Sequence, residues 1–334
     1  MGALSESRFE IVQLDHLDPS TAAHIARIVE RARVHDGRSP IGEHKFIRLV
    51  EGEADTFGLI GHVDGTCAGF AQATHYAAHG ELPSRLAAEL LVDLEHRGSG
   101  LGRALVTRLL AHAREHGARR FDIWAHHADG AAAGLATAMA MRVSRQLWQM
   151  AMRLNPASRE PRLDTPDGVR LRAYRSGVDE GVLIGLVREA FSGHPENAAF
   201  DAEDLAARAG LPWFDPGAIL IAEDVVTGRP LGVHWMKLDA ARHAGDTGHA
   251  GESGRADEVY ILAVAPEAQG RGIGHLLLGA GLQQMRDRGT EMAILYVDAQ
   301  NHAAIALYRK AGFRFEHLDT CYSLDLREQQ ATTR

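Results

Sequence analysis

Residues 258–278, Glu258-Val259-Tyr260-Ile261-Leu262-Ala263-Val264-Ala265-Pro266-Glu267-Ala268-Gln269-Gly270-Arg271-Gly272-Ile273-Gly274-His275-Leu276-Leu277-Leu278, decide the fold. The first seven are rich in β-branched and aromatic side chains and predict a strand. Ala265-Pro266-Glu267-Ala268 breaks it. Gln269 to Gly274 then opens an apolar run, continued by Leu282 and Met285, with helical spacing. A strand, a glycine turn and a helix start together make an anion site. Glycines let backbone N–H groups approach a phosphate, and the helix N-terminus adds unpaired donors and a positive dipole end. A dinucleotide fingerprint would need glycine where His275 stands, and no Walker Gly-Lys-Ser/Thr follows.

At 334 residues two domains are expected, with 45% hydrophobic residues to fill their cores. The net charge of −8 and the absence of a basic run speak against nucleic acid or anionic lipid as a partner. No apolar run of about 18 residues predicts a membrane span. The first ten residues lack a secretory h-region, so a cytoplasmic location is expected. Cys67 and Cys321 read as buried thiols rather than a disulfide. The 19 histidines show no ligand spacing. His126, His127, His243 and His249 come nearest to clusters and read as surface residues, and no metal site is expected.

The decisive stretch occurs twice. Leu90-Leu91-Val92 ends a strand, and Arg97-Gly98-Ser99-Gly100-Leu101-Gly102 opens a helix through His116. The offset from Arg97 to Gln269 is 172 residues, and all three glycines coincide. Residues 121–124 fall on 293–296, and an alanine-rich helix at 130–140 falls on 303–310. Strands are expected at 8–13, 57–63, 68–76 and 169–173, and helices at 21–34 and 179–191. A whole domain is therefore duplicated, with residues 1–154 as the first copy and 168–327 as the second. The proline-rich segment 155–167 is the linker, and 328–334 is a tail. Residues 239–257 read as a mobile loop, either disordered or a lid.

Q-x-x-G-x-G after a strand resembles the pyrophosphate loop of the GCN5-related N-acetyltransferases (GNAT). Asn301 to Phe313 is similar to that family's N-x-x-A-x-x-L-Y-x-x-x-G-F segment. The resemblance implies an α/β fold (α+β by some schemes) of two tandem domains, each a mixed, mostly antiparallel sheet flanked by helices. It implies acetyl-CoA as acetyl donor and no metal. The cofactor would lie on Leu262, Ala263, Val264, Gln269, Gly270, Arg271, Gly272, Ile273, Gly274, His275, Asn301 and Ala304. In the first copy Leu90, Leu91, Val92, Arg97, Gly98, Ser99, Gly100, Leu101 and Gly102 match, for a second, non-reacting molecule.

The copies differ in chemistry. Amine acetylation needs a base for the ammonium and an acid for the departing thiolate. Glu258, at the start of the strand before the loop, can act as the base through water, and the resemblance implies Tyr308 as the acid that protonates the sulfur. At the 172 offset they fall on Leu86 and Ala136, and Asn301 falls on Asp129. The first copy thus keeps a phosphate loop and is expected to be silent.

The segments 190–196, 213–216, 234–237 and 295–297, with 36–43 and 147–150, narrow the resemblance. They match a tandem branch of the family that acetylates the cysteinyl amine of cysteinyl-glucosaminyl-inositol. By that resemblance Asp36, Glu196, Lys237, Glu258 and Tyr296 line the substrate pocket. Carboxylates suit a cationic, polyhydroxylated amine. The chain departs from the branch at Met236, where threonine is usual, at Ala140-Met141, and in the long 239–257 loop. The expected partner is a small-molecule amine, with the chain a monomer. Acetylation of another amine or peptide N-terminus, and a non-catalytic CoA sensor, remain alternatives.

Overall fold

The computed structural model describes residues 9–37, 39–42, 46, 49–50, 52, 55–78, 82–126, 130–158, 164–192, 200–238 and 255–327. They form two compact units. The 239–254 part of the long loop, Glu196, Asp129, His127, His243 and His249 lie outside these residues.

In the first unit, β1 (Glu10–Leu14) is followed by α1 (Pro19–Asp36). Asp18 starts the helix by accepting hydrogen bonds from the Ser20 and Thr21 N–H groups at 2.9 and 3.1 Å, and left-handed Gly37 ends it. β2 (Thr56–Val63) and β3 (Thr66–Tyr76) form a hairpin around Asp64-Gly65. Both turn residues have positive φ, the backbone that matches strand twist in a two-residue turn. β4 (Arg85–Val92), α2 (Leu101–Glu115), β5 (Arg120–Ala125) and α3 (Gly130–Ala138) follow. β6 (Arg142–Arg153) belongs to this unit up to Leu147.

The second unit takes the rest of β6, then β7 (Val169–Ala173), α4 (Glu180–Ala190), α5 (Ala202–Ala209), β8 (Ile219–Asp224) and β9 (Pro230–Lys237). β10 (Ala256–Val264), α6 (Ile273–Asp287), β11 (Met292–Asp298) and α7 (His302–Ala311) complete the repeat. β12 (Arg314–Asp325) begins here, but from Leu318 onward it belongs to the first unit. The strand order is β1-β2-β3-β4-β5-β12-β6 in the first unit and β6-β11-β10-β9-β8-β7 in the second. The units therefore part at Leu147/Trp148 and His317/Leu318, not at the linker boundary of 154 drawn from composition.

Both sheets are mixed, with β4–β5 and β10–β11 parallel and the neighbouring pairs antiparallel. α2 packs Leu101, Leu105 and Leu109 at helical spacing onto the first sheet, all fully buried. α6 does the same with Ile273, Leu277 and Leu278. Burying each such side chain is worth about 1.5–3 kcal/mol, which anchors the two glycine turns at the heads of these helices. Cys67 and Cys321 are free thiols, the second buried. Among the described residues no helix is long and apolar enough to cross a membrane.

Candidate active site

In the second unit β10 runs into a 3-10 turn, Pro266–Ala268, and reaches α6 through Gly270 and Gly272 at φ 75° and 81°. Any other residue would be strained there. Gly272 is the N-cap, and no side chain among the described residues caps the helix, so its first N–H groups are open to a ligand. The Gln269 side-chain amide donates to the Val264 carbonyl at 3.3 Å, folding the loop back onto the strand end. Ile273 is buried and offers backbone alone, whereas Arg271 and His275 are exposed. Along β10, Leu262 and Val264 are half-buried while Ala263 faces the core. Asn301 caps α7, its side-chain oxygen accepting from the Ala304 N–H at 3.0 Å.

The first unit repeats this geometry. Leu94–His96 forms the 3-10 turn, and Gly98 and Gly100 stand at φ 74° and 97°. Gly100 is again an N-cap without a side-chain cap. Arg97 Nε donates to the Val92 carbonyl at 3.3 Å, the contact Gln269 makes 172 residues later. Leu101 is buried like Ile273, Leu91 like Ala263, while Leu90 and Val92 are half-buried. Ser99 Oγ accepts from the Leu101 N–H at 3.4 Å, and Gly102 packs beside Val92 and Leu135. One difference is electrostatic. Arg97 holds Asp36 with two bonds of 2.8 and 2.5 Å, and this guanidinium keeps the Asp36 carboxyl below its usual range.

The strand that carries Glu258 departs from the repeat. In the first unit β3 and β4 pair without interruption. In the second, β9–β10 pairing skips Tyr260, so Val259 faces Met236 and Ile261 faces Trp235. This bulge adds one residue and shifts the equivalences before it. Glu258 pairs with Lys237 and Ile294, as Ala87 pairs with Thr74 and Asp122. The counterpart of Glu258 is thus Ala87, correcting the Leu86 of the uniform offset. Parallel pairing with β11 ends at Val259↔Leu295, although β10 continues to Val264. Beyond Val259 the two strands part.

Glu258 is half-buried at the foot of this opening. Lys237 lies directly across from it, its ammonium 5.4 Å from the Trp213 ring centre. Tyr296, two residues past the Glu258 partner on β11, accepts a hydrogen bond from the Gln149 amide at 3.0 Å. Tyr308 on α7 is buried in the cluster that contains Val259 and Leu295, edge-on to Phe313 at 5.9 Å. Its hydroxyl has no hydrogen-bond partner among the described residues. Burial raises its pKa well above the usual phenol value, so it stays protonated and able to donate.

The structure thus brings Glu258, Lys237 and Tyr296 onto neighbouring strands and Tyr308 onto the core beneath them. It places Asp36 against the first glycine loop, in the first unit. Several residues escaped the sequence reading. Tyr260, at the bulge, packs with Trp213 and Trp235, each at 5.2 Å, and its hydroxyl accepts from Arg208 Nε at 2.7 Å. His126 is not a surface residue. It lies between Asp319 at 3.1 Å and Glu89 at 3.3 Å, and despite the opposing effect of burial these carboxylates raise its pKa to about 10. His75, His112 and His116 also converge, contrary to the expectation of scattered histidines. Only His112-x-x-x-His116 could have signalled them in the sequence.

The model of the acetyltransferase (GNAT) family matches residues 26–140 and again 177–313. The chain is 37% identical to the mycothiol acetyltransferase of Nocardia farcinica, over 92% of this chain and 95% of that protein. It is 36% identical to that of Geodermatophilus obscurus, over 92% and 96%. Among solved structures, a GCN5-related N-acetyltransferase from Sphaerobacter thermophilus superposes with TM-score 0.71 at 23% identity, over 96% of both chains. A tandem GNAT protein from the clavulanic acid biosynthesis pathway superposes with TM-score 0.72 at 17% identity, over 95% and 98%. The chain therefore belongs to the acetyltransferase (GNAT) family, as a tandem member of the mycothiol acetyltransferase group. Its reaction class is acetyl-CoA-dependent N-acetyl transfer.

Proposed function

We propose that the chain acetylates the cysteinyl amine of cysteinyl-glucosaminyl-inositol, giving mycothiol and CoA, and that the second unit alone performs the chemistry. The asymmetry carries this reading: both units have the glycine cradle, but the bulged strand with Glu258 and the helix with Tyr308 occur once. The uncapped helix start at Gly272 fits the pyrophosphate of acetyl-CoA, and the parted edge of Leu262 to Val264 fits its pantetheine arm. When bound, the cofactor supplies the acetyl thioester. Glu258 takes a proton from the cysteinyl ammonium, through water, and so frees the amine to form the N–C bond. Backbone N–H groups of the parted strand polarise the thioester carbonyl. Tyr308 gives its proton to the sulfur as the C–S bond breaks. Lys237 and Tyr296 hold the sugar part of the substrate, and the sequence resemblance adds Glu196 to them. The first cradle holds a second acetyl-CoA that does not react.

Turnover of Glu258→Gln, Tyr308→Phe and Gly100→Glu tests this reading, with lysyl peptides and aminoglycosides offered beside the cysteinyl glycoside. The first two should be nearly inactive, the third active, and the glycoside strongly preferred. Inactivity of Gly100→Glu alone would move the chemistry to the first unit.

A further inference from the structure

Three imidazoles meet in the first unit, at the end of α2 away from its glycine cradle. His112 stands in the last turn of α2, His116 one turn on is its C-cap, and His75 comes from β3. One nitrogen from each lies within 4.8 Å of the other two. His75 Nε2 and His112 Nε2 are 3.1 Å apart, and the His112 and His116 rings stack at 3.9 Å. His112 is buried, His75 half-buried and His116 exposed, so the group opens to solvent on one side.

We propose that His75, His112 and His116 form a binding site for one divalent transition metal, zinc by its preference for neutral imidazole, with water as the fourth ligand. Tetrahedral zinc with Zn–N bonds of about 2.0–2.1 Å sets ligand nitrogens roughly 3.3 Å apart. His75 and His112 already stand close to that separation. His116, exposed at the helix end, closes the remaining gap by turning its ring. Its Nδ1 faces the His112 carbonyl oxygen at 2.9 Å. Donating there leaves Nε2 with its lone pair, the outer-partner arrangement of a ligating histidine. Burial and the two neighbouring imidazoles lower the His112 pKa to about 4, and burial with His116 lowers that of His75. Both rings are therefore neutral, the form that ligates. Asp55 and Glu115 bring negative charge toward His75 and His112; Arg108 opposes them but lies 3.7 Å from Glu115. Phe57, 4.0 Å from His112, covers the inner side. A bound ion would clip the last turn of α2 to β3, holding the helix whose first turn carries the cradle at 97–102.

The test uses the full-length, tag-free chain, stripped with a chelator and titrated with Zn²⁺ and with Co²⁺, whose visible absorption reports tetrahedral nitrogen ligation. The expected result is one ion per chain, cobalt bands and a higher Tm with zinc. His116→Gln, at an exposed position that leaves the fold intact, and His75→Gln should each weaken binding at least about 100-fold. His24→Gln, a half-buried histidine on α1, should leave it unchanged. Absence of saturable binding, or unaltered binding in His116→Gln, overturns the proposal.

Discussion

The two glycine cradles share their backbone turn and one side-chain bond back to the strand, and the strands that feed them do not agree. Gly98 and Gly270, Gly100 and Gly272, and the Arg97 and Gln269 side-chain bonds are duplicated at one offset. One residue inserted at Tyr260 then separates β10 from β4. The bulged strand carries a half-buried carboxylate at 258, where the regular strand carries Ala87. The buried middle of the first unit is charged instead, with His126 between Glu89 and Asp319. Duplication kept the glycine turn proposed to hold a phosphate, because that turn depends on backbone alone. It left side-chain chemistry free to diverge.

The largest effect that would break this contrast lies at the proposed acid and base. Glu258→Gln and Tyr308→Phe should each lower kcat/KM by about 10²–10⁴ in steady-state assays. A loss below tenfold in both would leave the second unit no special role.

Next is the charge network of the first unit. His126→Gln leaves two buried carboxylates without their cation and should cost about 3–5 kcal/mol in denaturant unfolding. The sign of its pH dependence follows from a folded pKa raised from 6.5 to about 10. The folded state holds the proton more tightly, so the stabilisation is complete below pH 6.5 and is lost as pH rises through 10. The gap between wild type and His126→Gln should therefore narrow from pH 6.5 to 10; a constant gap would show that His126 is neutral.

A smaller effect concerns the core of the second unit. His234 is fully buried, neither ring nitrogen has a hydrogen-bond partner among the described residues, and burial lowers its pKa to about 4. It fits because position 281 is glycine: a Cβ there would stand 1.9 Å from the imidazole. The first unit puts Ala71 and Leu109 at these places. Gly281→Ala should destabilise by about 1–3 kcal/mol, read as a lower denaturant midpoint, and adding His234→Ala should recover part of it. The smallest effect is expected at Arg97→Gln, which gives the first loop the residue of the second. The pair with Asp36 is partly exposed, so less than about 1 kcal/mol should be lost in denaturant unfolding.

The strand, the glycine turn and the helix start were legible because their signals lie within some twenty consecutive residues and depend on local backbone preference. The repeat multiplied that signal and identified which copy keeps the glutamate and tyrosine. The Asp64-Gly65 hairpin was legible for the same reason. What required the tertiary structure is everything set by register or by meeting across the chain. Pairing through a bulge moves an equivalence by one residue without leaving a mark in spacing, so Ala87 rather than Leu86 faces Glu258 across the repeat. Glu89, His126 and Asp319, or His75 and His112, become neighbours only when strands and helices pack, and no periodicity encodes their contact. The division of β6 and β12 between the units is likewise a matter of which edge each half-strand finds. Local propensity determined the cradles; long-range packing decided which side chains stand beside them.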